Sequence, residues 1–301
     1  MKLLVTGANG LLGQKLAALL LAQPAVELLA TGRGPNRLAP YFPALRYRPL
    51  DVTDAAQVRQ VLAEEQPDCL IHAAAMTQVD DCELNPDACW RQNVTAVEYL
   101  AAACAAQDVY LLYLSTDFIF NGEHGPLAED AEPDPLSHYG RSKLAAERVV
   151  QATPGLRWGI ARTVLVYGTL LGGGRSNLVQ WVRDSLRNNQ TIKVVDDQYR
   201  TPTLAEDLAL GCWLLAQRQA PGIYHLSGRE TLTPYQMAQQ VAAYFNLDGT
   251  LLQRVDASTF SQPGRRPART GFLIDKAARE LGYAPRSFAE GIALLARQLP
   301  G

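Results

Sequence analysis

Three glycines, Gly7, Gly10 and Gly13, separate an apolar run, Lys2–Thr6, from a stretch of helical period, Leu11–Leu21. A strand that turns at once into a helix through this spacing leaves few folds open. Gly7 permits the tight turn. Gly10 lets backbone approach a pyrophosphate, and Gly13 lets the helix pack closely on a sheet. The helix start then offers free N–H groups and a partial positive charge to phosphates. The loop residues Asn9, Leu11 and Leu12 complete the cradle.

The alternation continues along the chain. Short apolar runs at 27–31, 46–50, 69–72, 110–115 and 159–164 are separated by helical stretches at 55–65, 87–106 and 137–152. Strand and helix repeated this way predict an α/β fold, a Rossmann-type doubly wound parallel sheet. Beyond Gly168 the pattern loosens into a smaller mixed C-terminal substrate domain. Residues 1–168 are expected to bind the dinucleotide, rejoined by parts of 190–226, and residues 169–301 to bind substrate. Helices are expected near 177–187, 204–217, 233–245, 275–281 and 288–298, with strands near 192–195 and 223–226. Residues 170–176 read as a glycine-rich loop, and 263–267 as basic and non-helical.

Composition excludes several classes. With 28 Lys+Arg against 30 Asp+Glu and no run of one sign, nothing marks a nucleic-acid binder. Cys69, Cys82, Cys89, Cys104 and Cys212 form no Cys-x-x-Cys pair, and the four histidines are scattered, so neither a disulfide framework nor a metal site is expected. The start of the chain does not read as a signal peptide. The densest apolar stretch, 16–22, is far short of the roughly 18 residues that span a bilayer. A cytoplasmic protein without membrane association follows.

The second strand ends Thr31-Gly32-Arg33, with Arg37 close behind and no acid. A guanidinium there suits a ribose 2′-phosphate, so NADP(H) is expected ahead of NAD(H). Asp51-Val52 ends the third strand, where a side chain reaches toward an adenine. Ala73-Ala74-Ala75 follows the fourth, where small side chains let backbone lie against a flat cofactor.

Tyr139 and Lys143 stand four apart and share one helix face. A nearby ammonium favours the phenolate, so the Tyr139 pKa is expected to fall toward working pH. Such a phenol hands its proton to a carbonyl oxygen as hydride reaches the carbon. The fifth strand ends Ser115-Thr116-Asp117, which puts the Thr116 hydroxyl at the ligand-binding edge of the sheet.

With these runs together, the chain resembles the extended short-chain dehydrogenase/reductases. More narrowly it resembles the dTDP-4-dehydrorhamnose reductases, through residues 73–80, 83–86, 92–94, 115–122, 133–135, 166–168, 197–199 and 265–267. The resemblance implies NADPH-dependent reduction of the 4-keto group of a nucleotide-activated 6-deoxysugar, with Thr116, Tyr139 and Lys143 catalytic and Tyr139 the proton donor. It implies that Asn93 supports a proton-relay water beside the cofactor. It places Thr77, Val79, Asp117, Phe118, Asn177, Gln198, Arg200 and Arg266 on the sugar-nucleotide side. Met76, Phe118 in place of the commoner tyrosine, and glycines 172–174 depart from the pattern and bear on which sugar is taken. A sugar-nucleotide epimerase or dehydratase, and a non-catalytic NADP-binding regulatory subunit like that of methionine adenosyltransferase, are the alternative readings. A homodimer is the expected assembly.

Overall fold

The computed structural model describes residues 1–173 and 177–299, so the end of the expected 170–176 loop lies outside the described residues. Its strands are β1 (Lys2–Thr6), β2 (Glu27–Gly32), β3 (Arg46–Pro49), β4 (Cys69–His72), β5 (Tyr110–Thr116), β6 (Trp158–Thr163), β7 (Val166–Tyr167), β8 (Ile192–Val195), β9 (Thr203–Leu204), β10 (Gly222–His225) and β11 (Leu252–Val255). Its α-helices are α1 (Leu11–Leu21), α2 (Ala55–Glu65), α3 (Val79–Leu84), α4 (Pro86–Trp90), α5 (Ala96–Ala106), α6 (His138–Ala152), α7 (Leu178–Arg187), α8 (Ala205–Arg218), α9 (Pro234–Tyr244), α10 (Asp275–Leu281) and α11 (Phe288–Gln298).

Seven strands form one parallel sheet in the order β10-β6-β5-β4-β1-β2-β3. The chain runs outward through β2 and β3, then returns to place β4 on the other side of β1. The strand order therefore reverses between β1 and β4, and the crevice at their carboxyl ends is the natural ligand site. Every residue of β5 is buried, because helices cover both faces and exclude any polar alternation. On one face α1 and α8 pack over Leu3, Val5, Ile71 and Leu112. On the other, α2, α5 and α6 cover Leu4, Leu70, Leu111 and Tyr113.

A third apolar cluster joins α7, α9 and α11 around Val182, Val194, Met237 and Leu295, with β8 and β11 paired beside it. The edge strand β10 comes from beyond this region's first elements and returns to the main sheet against β6. Residues 263–267 are not helical.

One expected element is corrected. Residues 87–106 are not one regular helix. α4 and α5 are joined by a π-helical turn, Arg91–Thr95, and α3 precedes them across Asn85-Pro86. The residue before a proline is pushed out of helical geometry, and Asn85 sits at φ −132°, ψ 63°.

Candidate active site

The first loop is built as its glycines require. Gly7 has φ +71°, and a Cβ there would come within 2.9 Å of the Ala73 and Ala74 backbone at the end of β4. A Cβ on Gly13 would meet the Gly7 carbonyl oxygen at 2.3 Å, so α1 lies directly on the loop. Gly10 caps α1 with no side-chain hydrogen bond, and the first turn holds no acid. The positive end of that helix is left facing the crevice uncompensated.

The crevice is a cleft of about 1060 Å³. Gly7, Asn9 and Gly10 form its floor, and Arg33, Asp51, Val52, Ala73, Ala74 and Ala75 line its walls. Five residues, Gly7, Gly10, Ala73, Ala75 and Thr77, also line an adjoining pocket of about 480 Å³, so the two are continuous. That pocket brings together Leu11, Leu12, Gly13, Val79, Thr116, Asp117, Phe118, Tyr139 and Lys143. A large cleft over a glycine loop, continuous with a smaller chamber that holds a phenol and an amine, has the make-up of a dinucleotide site.

Tyr139 and Lys143 reach the chamber because α6 is pinned at three places. Ser137 caps it, accepting from the Gly140 N–H at 3.1 Å. Glu147 forms a buried two-bond ion pair with Arg162 of β6, at 3.0 and 2.7 Å. Gly140 lies against the Phe118 carbonyl, where a Cβ would come to 2.1 Å.

The electrostatics correct one expectation. Burial raises the Tyr139 phenol above its ordinary value, and a hydrogen bond with the Thr116 side chain only partly opposes this. Burial also lowers Lys143 to about 7, against the pull of Glu147. The Lys143 amine donates to the Leu114 carbonyl at 2.7 Å and sits 4.2 Å over the Tyr113 ring. The phenol therefore keeps its proton at neutral pH, while the amine is poised to gain or lose one. Thr116 donates to Asp117 at 3.1 Å and accepts from the Phe118 N–H at 3.2 Å, which fixes its hydroxyl.

Four of the residues expected to meet ligands have partners within the chain. Asn93 is 1% exposed and stands behind the cleft. Its amide pairs with both backbone groups of Met76, at 2.8 and 3.0 Å, and donates to Ser142 at 3.0 Å. Its side-chain donors are thus spent in tying the loop after β4 to α6. Arg200 is buried, donating to the Tyr199, Pro267 and Ala268 carbonyls and lying 3.8 Å from Asp117. Asn177 spends its side chain capping α7 and bonding the Gly168 carbonyl. Arg266 is paired with Asp80 through two bonds, at 3.0 and 2.8 Å.

Arg266 nevertheless borders a third hollow, about 220 Å³, together with Gln198, Lys193, Trp181 and Phe260. The two aromatics escaped the sequence reading, since nothing in their spacing sets them apart from core residues. Arg91 and Gln92, on the π-turn, also line the large cleft; Arg91 was missed, and Gln92 figures only in the 92–94 resemblance, with no site role. The assumption of one continuous helix gave them no distinct face. His72 is packed, bonded to Thr6 at 2.8 Å and held at about 3 by burial. Among the described residues no cluster of His, Cys, Asp or Glu could hold a metal ion, and no helix is long and apolar enough to cross a membrane.

Fold and site together define an NAD(P)-dependent oxidoreductase of the extended short-chain dehydrogenase/reductase type. The chain belongs to the RmlD substrate binding domain family, which matches residues 1–300. It is 34% identical to a dTDP-4-dehydrorhamnose reductase of Streptomyces griseus, over 88% of this chain and 83% of the relative. It is 31% identical to methionine adenosyltransferase 2 subunit beta of Xenopus tropicalis, over 92% of this chain and 90% of the relative. The solved dTDP-4-dehydrorhamnose reductase of Bacillus anthracis, in complex with NADP, superposes with a TM-score of 0.83 at 28% identity, covering 99% of both chains.

Proposed function

We propose that this protein reduces the 4-keto group of a dTDP-linked 6-deoxysugar with NADPH, with Tyr139 as the proton donor. The observation that carries the reading is the chamber itself. Tyr139, Thr116 and Lys143 converge there, continuous with a cleft that ends at Arg33 and Arg37. A reductase needs a donor that is protonated at working pH, and burial keeps the Tyr139 proton in place. Bound NADPH supplies the hydride. Thr116 turns its proton from Asp117 to the substrate oxygen and so orients it toward Tyr139, and Lys143, while charged, favours the phenolate left behind.

Arg33 and Arg37 form no ion pair with a carboxylate among the described residues, which leaves them for a 2′-phosphate and favours NADPH. The hollow between Trp181 and Phe260 suits a flat nucleobase. In this reading the N-terminal sheet holds the cofactor, the segment after residue 168 holds the sugar nucleotide, and the enzyme works as a cytoplasmic homodimer.

Dehydratase chemistry is disfavoured by Asp117. It is 2% exposed, accepts from Thr116 and Thr270, and has Phe118 where a second acid is needed. A regulatory subunit is the second reading, favoured by the relative of that kind at 31% identity. An NADPH-oxidation screen over a panel of 4-keto nucleotide sugars, with NADH as control, separates the two. Turnover of dTDP-4-dehydrorhamnose with NADPH preferred supports the reductase. Turnover of no keto sugar overturns it.

A further inference from the structure

Tyr47 lies on β3 beside Ala30 of β2, and it is not among the residues lining the large cleft. Its hydroxyl is nevertheless the centre of a small network. It faces the Gly32 carbonyl at 3.1 Å and the Gly34 carbonyl at 3.0 Å, and accepts from the Asn9 amide at 3.2 Å. A hydroxyl has one proton and two lone pairs, so it serves one carbonyl at a time or shares its proton between both. Asn9 completes the frame. Its amide also donates to the Pro35 carbonyl at 3.1 Å, and its oxygen accepts from the Arg37 N–H at 3.1 Å.

These bonds hold residues 32–37 at both ends and the middle. Gly34 takes φ +80°, a conformation that side chains rarely adopt. A Cβ on Gly32 would come to 3.0 Å from the Tyr47 oxygen and 3.5 Å from the Asn9 amide. The segment is thus shaped around the hydroxyl, and its two arginines are the cationic side chains it presents to the cleft. A long arginine loses much side-chain freedom when it meets a ligand, so a fixed backbone beneath it lowers the cost of binding.

We propose that Tyr47 is a positioning residue for cofactor choice, which acts by holding the Arg33–Arg37 segment in the shape that receives a ribose 2′-phosphate. The inference rests on the reading that these arginines meet that phosphate. Tyr47 itself does not line the large cleft, so its loss is expected to weaken NADP⁺ binding through the arginine segment and to spare NAD⁺.

The test is equilibrium binding of NADP⁺ and NAD⁺ to the full chain by titration calorimetry, for the wild type and for Tyr47→Phe. The dissociation constant for NADP⁺ is expected to rise roughly fivefold, while that for NAD⁺ stays within about twofold. Gly34→Ala, which strains the same segment while keeping the tyrosine side chain, is expected to show the same one-sided loss and stands in if Tyr47→Phe does not fold. An unchanged ratio in Tyr47→Phe, or an equal loss for both nucleotides, overturns the proposal. Arg33→Ala separates the two layers of the argument. If it leaves the NADP⁺ to NAD⁺ ratio untouched, the reading of the arginines fails and takes the inference with it. If it erodes the ratio and Tyr47→Phe does not, only the role of Tyr47 is wrong.

Discussion

Gly140 rests against Phe118 so closely that a methyl group between them would lie 2.1 Å from the Phe118 carbonyl oxygen. This contact sets the approach of α6 to the turn after β5, and with it the distance between Tyr139 and Thr116. Gly140→Ala is therefore expected to cost about 1–3 kcal/mol of stability in urea unfolding and to reduce turnover far more than cofactor affinity. An alanine variant with ordinary turnover would show that α6 tolerates displacement.

The depressed Lys143 predicts a pH dependence. Its ammonium form is lost as pH rises through about 7, while the Tyr139 phenol stays protonated. If that ammonium assists the proton transfer, kcat/KM for reduction falls above about pH 7 in the free enzyme. Stability moves the opposite way. Between about 7 and the ordinary lysine value of 10.5 the unfolded chain binds the extra proton, so stability rises with pH across that window. Lys143→Met should abolish both effects, read by pH–rate profiles and by denaturation at pH 7 and 9. A flat rate profile from pH 6 to 9 contradicts the assignment.

Glu147 and Arg162 are 1% and 3% exposed at their side chains. Removing one charge leaves the other buried and unpaired, which costs about 3–5 kcal/mol. Glu147→Gln should show most of that loss in its urea midpoint, together with reduced turnover as α6 loosens. A change below about 1 kcal/mol would mean that the pair is not a structural pin.

Much of this architecture is legible in the sequence because of a simple physical contrast. Strands buried on both faces, such as β4 with Cys69-Leu70-Ile71-His72, are continuous apolar runs, and α1 and α2 carry a clear helical period. α3, with six residues, is too short to show a period, and β7 and β9 have two residues each. The cleft residues are legible because the glycine loop and the Tyr139–Lys143 spacing are local. The fate of the arginines is not. Arg200 is satisfied by carbonyls at 267 and 268, and Arg266 by Asp80, nearly two hundred residues upstream. No local pattern tells a guanidinium held by its own chain from one left for a ligand.

That pairing gives a further prediction. Asp80 and Arg266 are 36% and 21% exposed, so breaking the bond changes stability by less than about 1 kcal/mol. Asp80→Asn loosens the guanidinium beside the Trp181–Phe260 hollow by removing its counter-charge, leaving its bond to the Gly264 carbonyl. The KM for a dTDP-sugar should fall severalfold with the cofactor KM unchanged. A rise in that KM would place Arg266 outside the substrate path.

The central claim is that one buried phenol delivers the proton that completes the alcohol. Tyr139→Phe removes that proton and keeps the ring. NADPH oxidation by this variant with dTDP-4-dehydrorhamnose should fall by a factor on the order of 100 to 10,000, with NADPH still bound within about twofold of the wild-type affinity. Wild-type turnover by Tyr139→Phe would contradict the account.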